Sequence, residues 1–179
     1  VFVNVNRGKR SVVLDLKSEA GKEALRRLIA TADVFIHSMR GKAIAKLGFD
    51  YAAVKAIKPD IVYTNCYGYS RRGPDGDKPA YDDTIQAECG IPHLQGLMTG
   101  KPDFMATIIA DKVAGLTGLY ATMMALFHRE RTGKAVELEF PVSLTRERQR
   151  DDRHVVDILR LDKKGLGARR QQVLVRHQL

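Results

Sequence analysis

"DVFIHSMRGKAIAKLGFDYAAVKAIKPDIVYTNCYGY", residues 33–69, decides the fold. It begins and ends in apolar, β-branched runs, Asp33–Ser38 and Asp60–Tyr69, each of strand length. Two short helical patterns lie between them. "GKAIAKLG" stops at Gly48, a residue suited to the position just past a helix end. "DYAAVKAI" starts behind Asp50, a good N-cap, and Pro59 follows its end. A strand, a helical connection and a second strand predict a right-handed crossover between parallel neighbours. The runs are largely apolar, which suits strands buried on both faces.

The pattern extends outward. "SVVLDL" (Ser11–Leu16) reads as an earlier strand. "SEAGKEALRRLIATA" reads as a helix, with Leu25, Leu28 and Ile29 at helical spacing and Ser18 as cap. The first part of the chain is therefore β-α-β-α-β: an α/β fold with a parallel sheet and flanking helices. Beyond it, "SRRGPDGDKPA" reads as a loop, "YDDTIQAECG" as a helix with a glycine stop, and "IPHLQGLMTGKPD" as another loop. A long helix then runs to about Arg131, and "TGKAVELEF" forms a last strand.

Composition bounds the function. The 179 residues allow one domain or part of a larger one. Hydrophobic residues at 44% and charged ones at 28% are an ordinary globular balance. No apolar run approaches the ~20 residues of a bilayer span, so no membrane partner is expected. No signal-peptide pattern is present, and the chain begins "VFVNVN", without Met, as if cut from something longer. Cys66 and Cys89 lack metal-ligand spacing and read as reduced thiols of a cytoplasmic protein. His37, His93 and His128 are scattered, and no metal is expected. Neither G-x-G-x-x-G nor a P-loop occurs, which argues against nicotinamide or nucleoside-triphosphate chemistry; G-x-S-x-G and H-E-x-x-H are also missing. The net charge is +9, and residues 144–179 carry ten basic against five acidic side chains. Such a balance suits a polyanion or a phosphate-rich ligand, or is simply a solvated surface.

Open parallel sheets bind ligands beyond the carboxyl ends of their strands. "DLKS", "HSMRGKA" and "GYSRRG" fall there, with Lys17, Arg40, Lys42, Arg71 and Arg72. These cations could hold phosphates, or be ordinary loop charge. In "TIIADKVAGLTG" (Thr107–Gly118), Asp111 stands between an apolar run and a small-residue helix. An acid there could be an N-cap, or a nucleophile held at a helix start; the two roles can coexist.

"NRGKRSVVLDLKSEAGKEALRRLIATADVFI", "LGFDYAAVKAIKPDIVYTNCYGY", "GPDGDKPAYDDTIQAECGI" and "IADKVAGLTGLYATMMALFHRERTGK" together resemble the class III CoA-transferases. This family includes formyl-CoA transferase, the carnitine and bile-acid CoA-transferases and the α-methylacyl-CoA racemases. The resemblance covers about Asn4 to Phe140 in ungapped blocks that keep the family's order. It implies a partial Rossmann-like large domain over 1–140, with a divergent basic tail over 141–179. It also implies truncation at both ends and coenzyme A, as acyl-CoA, for substrate.

Carried over singly, Asp111 matches the family's nucleophilic aspartate. Leu14, Asp15, Leu16 and Lys17 match a CoA-contacting segment. Ser38, Met39 and Arg40 fall where "ENFRPG" is commoner, and Lys46 where an Arg often meets a CoA phosphate. Pro79, Ala80, Tyr81 and Asp82 match the loop beside the catalytic carboxylate. The racemase branch pairs its aspartate with a base, a His, that falls at Tyr81; a neutral phenol is a poor base, so transfer is favoured over racemisation. The resemblance also implies an interlocked homodimer. The remaining alternative is a non-catalytic remnant that binds CoA or, through its tail, nucleic acid; no nucleic-acid partner is expected on the transferase reading. The abrupt change after Pro141 suggests a tail that is out of frame or otherwise unrelated, with weak or absent turnover.

Overall fold

The structure, a computed structural model, describes residues 6–71, 73–76 and 78–141. The tail from residue 142 onward and Arg72 lie outside the described residues. The elements in order are α1 (Glu19–Ala30), β1 (Val34–His37), α2 (Gly41–Leu47), α3 (Tyr51–Ile57), β2 (Val62–Tyr67), α4 (Asp82–Glu88), α5 (Ile91–Thr99), α6 (Ile109–Thr132) and β3 (Val136–Pro141). The fold is α/β, and β2 is the middle strand of the sheet β1-β2-β3. β1 and β2 run parallel, with Val34 opposite Val62 and His37 opposite Asn65. Among the described residues, no helix is long and apolar enough to cross a membrane.

The chain divides into two compact units, residues up to 65 with 122–138, and residues 66–121 with 139–141. In the first, strand alternation sorts the core onto two faces. Phe35 and Tyr63 join Leu25, Ile29, Ile44, Phe49, Val54 and Ile61, residues of α1–α3 and their connections. Val34, Ile36 and Val62 point the other way, to Ala125 and Leu126 of α6 and to Val136 and Leu138 of β3. The sheet is covered on both faces, as its apolar strands predict. Each fully buried Leu, Ile or Phe contributes about 1.5–3 kcal/mol.

The caps follow local chemistry. Ser18 Oγ accepts from Gly21 N–H at 3.1 Å, and Asp50 Oδ1 from Ala53 N–H at 2.9 Å. Gly48 ends α2 at φ 81°. Arg129, 8% exposed near the end of α6, donates to Asp33 O at 3.2 Å and to Asp33 Oδ1 at 3.0 Å. It thereby ties that end to the start of β1.

Two expectations are corrected. Ser11–Leu16 is not a strand: only Val13 makes an isolated bridge, and it is 78% exposed. A β-branched run becomes a strand only where neighbours pair with its backbone. The strand order therefore begins at Val34. Residues 91–99, expected as loop, form helix α5. Pro92 sits in the first turn, where its missing N–H costs nothing. Gly90, at φ 77°, lets the chain turn directly from α4 into α5.

In the second unit, Tyr69, Ile85 and Ala110 pack with Ala80 and Cys89. Tyr69 Oη donates to Glu88 Oε1 at 3.0 Å. Gly68 faces the same loop: a Cβ there would stand 2.0 Å from Ala80 Cβ, so only glycine lets residues 79–82 lie so close.

Candidate active site

Asp111 is the third residue of α6, not its cap. Lys112 N–H donates to Ile108 O at 3.1 Å, which makes Ile108 the cap residue. Isoleucine has no side-chain acceptor for the free donors of the first turn. One of these is met from another helix: Asp111 N–H donates to Asp82 Oδ2 at 2.9 Å. The reading of Asp111 as N-cap is corrected accordingly. Its carboxylate is exposed, with no hydrogen-bond or ion-pair partner among the described residues.

Asp82 opens α4 and is 9% exposed. Its Oδ1 accepts from Gln86 Nε2, one turn further along. Gln86, 1% exposed, spends its remaining capacity on the segment leading into α6. Its Nε2 also donates to Thr107 O at 3.2 Å, and its Oε1 accepts from Met105 N–H at 3.0 Å. Lys112 Nζ donates to Thr107 Oγ1. Met105, Thr107 and Asp111 are thus held by one buried Asp–Gln pair.

Loss of hydration, and then the negative charge of Asp82, push the Asp111 carboxyl above its ordinary range. The start of a 24-residue helix by itself favours the anion. A carboxylate of raised pKa is more basic and, as an anion, a stronger nucleophile.

Pro79, Ala80, Tyr81, Asp82 and Asp111 fall in the second unit. Tyr81, immediately before the buried Asp82, is 74% exposed. Leu14, Asp15, Leu16, Lys17, Ser38, Met39, Arg40 and Lys46 fall in the first. Leu16 is a core residue at 3% exposure, and Leu14 and Met39 pack against the same cluster. Asp15 Oδ1 accepts from Lys17 N–H at 2.9 Å, which shapes the turn before α1. Arg40 is exposed at the cap position of α2. Lys46 is exposed in the last turn of α2, where a cation complements the helix end.

Arg71 is committed within its own unit. Its N–H and Nε donate to Glu139 at 2.7 and 3.1 Å, and its guanidinium lies 5.1 Å from the Tyr67 ring centre. Among the described residues neither Cys66 nor Cys89 is joined in a disulfide. Burial pushes the Cys66 thiol up, away from reactivity.

Reading the sequence missed Gln86 and Gly68. The Asp82–Gln86 spacing of one helical turn was visible in "DDTIQ". Nothing local indicated that the pair reaches residues 105–111.

The pattern of CoA-transferase family III matches residues 1–146. A succinate–glutarate CoA-transferase of Agrobacterium fabrum is 34% identical over 134 residues, which is 75% of this chain and 34% of the relative. An acetyl-CoA:oxalate CoA-transferase of Acetobacter aceti is 34% identical over 77% of this chain and 36% of its own length. A formyl-CoA:oxalate CoA-transferase of Escherichia coli is 30% identical over 92% of this chain and 39% of its own. The chain therefore spans between about a third and two-fifths of these relatives. The crystal structure of a CAIB/BAIF family protein from Brucella suis superposes with a TM-score of 0.75 at 33% identity, over 85% of this chain and 41% of that one.

Proposed function

The chain belongs to CoA-transferase family III, and on that premise we propose that the protein moves coenzyme A from an acyl-CoA to a second carboxylic acid, with Asp111 as the covalent nucleophile. The observation that carries this reading is the Asp111 carboxylate: exposed, unpartnered among the described residues, and anchored through its backbone rather than its side chain.

Transfer between carboxylates needs a group that holds first an acyl unit and then CoA. Asp111 attacks the thioester carbonyl, the C–S bond breaks, and CoA leaves as thiolate. The product on the protein is a mixed anhydride. The thiolate then attacks the aspartyl carbonyl, releasing the first carboxylate and forming an aspartyl-CoA thioester. The incoming carboxylate displaces the thiolate from that thioester, giving a second anhydride. The thiolate attacks its acyl carbon, so the new acyl-CoA departs and Asp111 is restored. No net proton transfer is required. Each tetrahedral oxyanion calls for N–H donors.

In this reading Leu14–Lys17, Ser38–Arg40 and Lys46 contact coenzyme A, and Pro79–Asp82 border the thioester. Two cysteines outside any disulfide among the described residues suit a reducing compartment, the cytoplasm. The working form is a homodimer.

The test is mass spectrometry after incubation with a panel of acyl-CoAs and hydroxylamine. A hydroxamate at Asp111, missing in Asp111→Asn, is the expected result. A hydroxamate elsewhere, or none, defeats the assignment for this chain.

A further inference from the structure

The buried Asp82–Gln86 pair raises a question of its own. Asp82 precedes the nucleophile by 29 positions, yet its oxygen is the acceptor for the nucleophile's own amide. Both Asp82 oxygens are already engaged, one by Gln86 and one by Asp111 N–H. A residue that is 9% exposed and so engaged is poorly placed to greet a ligand itself.

Its position explains something else. Three residues in a row at the start of α6 are apolar: Ile108, Ile109 and Ala110. None can cap the helix. The first side chain with an acceptor is Asp111, and in an isolated helix its carboxylate would be drawn toward the free N–H groups of that first turn. Asp82 meets the Asp111 donor from outside. Gln86 meanwhile holds Asp82 from one side and clamps Met105 N–H and Thr107 O from the other. The backbone before and at Asp111 is therefore fixed by two buried side chains of α4, while the Asp111 carboxylate makes none of these bonds.

We propose that Asp82 is the positioning residue of Asp111: it takes over the capping of α6 so that the Asp111 carboxylate stays unengaged and aimed at the thioester. This rests on the reading of Asp111 as the nucleophile. The capping requirement and the chemical requirement both call for an acid at this helix start, and the structure divides them between two acids. Adjacent in sequence are the exposed Asp83 and Lys112, whose ammonium donates to the Thr107 hydroxyl.

The experiment compares the chain as it stands with Asp82→Asn and Asp82→Ala. Asparagine keeps one oxygen that can accept from Asp111 N–H but removes the charge and the second acceptor that Gln86 Nε2 uses; alanine removes both oxygens. Three quantities are read: hydrogen exchange at the Asp111 amide, the NMR titration of the Asp111 carboxyl, and the rate of hydroxamate formation at Asp111. Expected for Asp82→Ala is amide exchange faster by about tenfold or more, with a comparable loss in the labelling rate. Expected for Asp82→Asn is near-normal amide exchange, with the Asp111 titration moved to lower pH. A purely structural role would change exchange in the alanine variant without lowering the labelling rate at Asp111.

If Asp111 labels in the unsubstituted chain but Asp82→Ala leaves both exchange and labelling unchanged, the positioning role is overturned and the nucleophile reading stands. If Asp111 does not label in the unsubstituted chain, the nucleophile reading falls and takes this proposal with it.

Discussion

Two residues near the site carry measurable strain between function and fold. Folding raises the Asp111 carboxyl above its unfolded value, first by desolvation and then by the Asp82 charge. A raised carboxyl stabilises the fold in its protonated form. That contribution is whole below the ordinary carboxylate range and is lost as pH rises through the folded value. At neutral pH the ionised side chain weakens the fold, so Asp111→Asn raises Tm there while abolishing any adduct. The difference in Tm between the two proteins should shrink to nothing as pH falls toward about 3; a difference independent of pH would show that the charge is not its origin. Gly68 is constrained by space instead. Its absent Cβ would meet Ala80 Cβ at 2.0 Å. Gly68→Ala must push residues 79–82 outward and should cost about 1–3 kcal/mol in urea denaturation. An unchanged midpoint would mean that this loop yields freely.

Among the elements, α6 has the most to reconcile. Its first turn bears the candidate nucleophile, and its later turns cover one face of the sheet through Ala125 and Leu126. Thr122 Oγ1 lies 3.1 Å from Thr64 Oγ1 of β2, so the contact with the strand is polar as well as apolar. Near its end, Arg129 is fastened to Asp33 by two bonds and to Glu130 by a third at 3.1 Å. These carboxylates hold the guanidinium firmly charged despite its burial. Lysine has one compact head where arginine has a planar fork, so Arg129→Lys cannot serve both Asp33 atoms in the same way. The expected loss is about 2–3 kcal/mol for Arg129→Ala and a substantial part of that for Arg129→Lys. Equal stability of all three proteins in chemical denaturation would remove the tie from the account of this helix.

For the whole molecule, the second unit leaves large apolar side chains in solvent. On α6, Val113, Leu116, Leu119 and Tyr120 are 54%, 65%, 53% and 55% exposed. On α5, Leu94, Leu97 and Met98 are 59%, 71% and 85% exposed. Exposed apolar side chains in such number promote association. The chain by itself should gain mean mass in sedimentation or light scattering between roughly 10 and 500 µM, and a double change of Leu116 and Leu119 to Glu should suppress the gain. A constant monomer mass over that range would contradict it.

The sequence by itself determined the elements whose signals are local. Ser18 and Asp50 mark helix starts, Gly48 marks a helix end, and apolar runs mark β1 and β2, because caps, turns and buried strands depend on residues a few positions apart. Ordered blocks such as "IADKVAG" and "HRERTGK" pointed to the family for the same reason: they are contiguous. Only the tertiary structure decided the rest. Ser11–Leu16 has strand composition, but a strand needs a partner along its edge, and composition does not supply one. Residues 91–99 have breaker composition, yet a proline in the first turn and glycines at the helix ends are compatible with a helix. Whether Asp111 caps its helix could not be read from its own segment, because the competing acceptor, Asp82, sits 29 residues earlier and reaches it only when α4 packs beside the start of α6. A hydrogen bond between segments so far apart has no local signature.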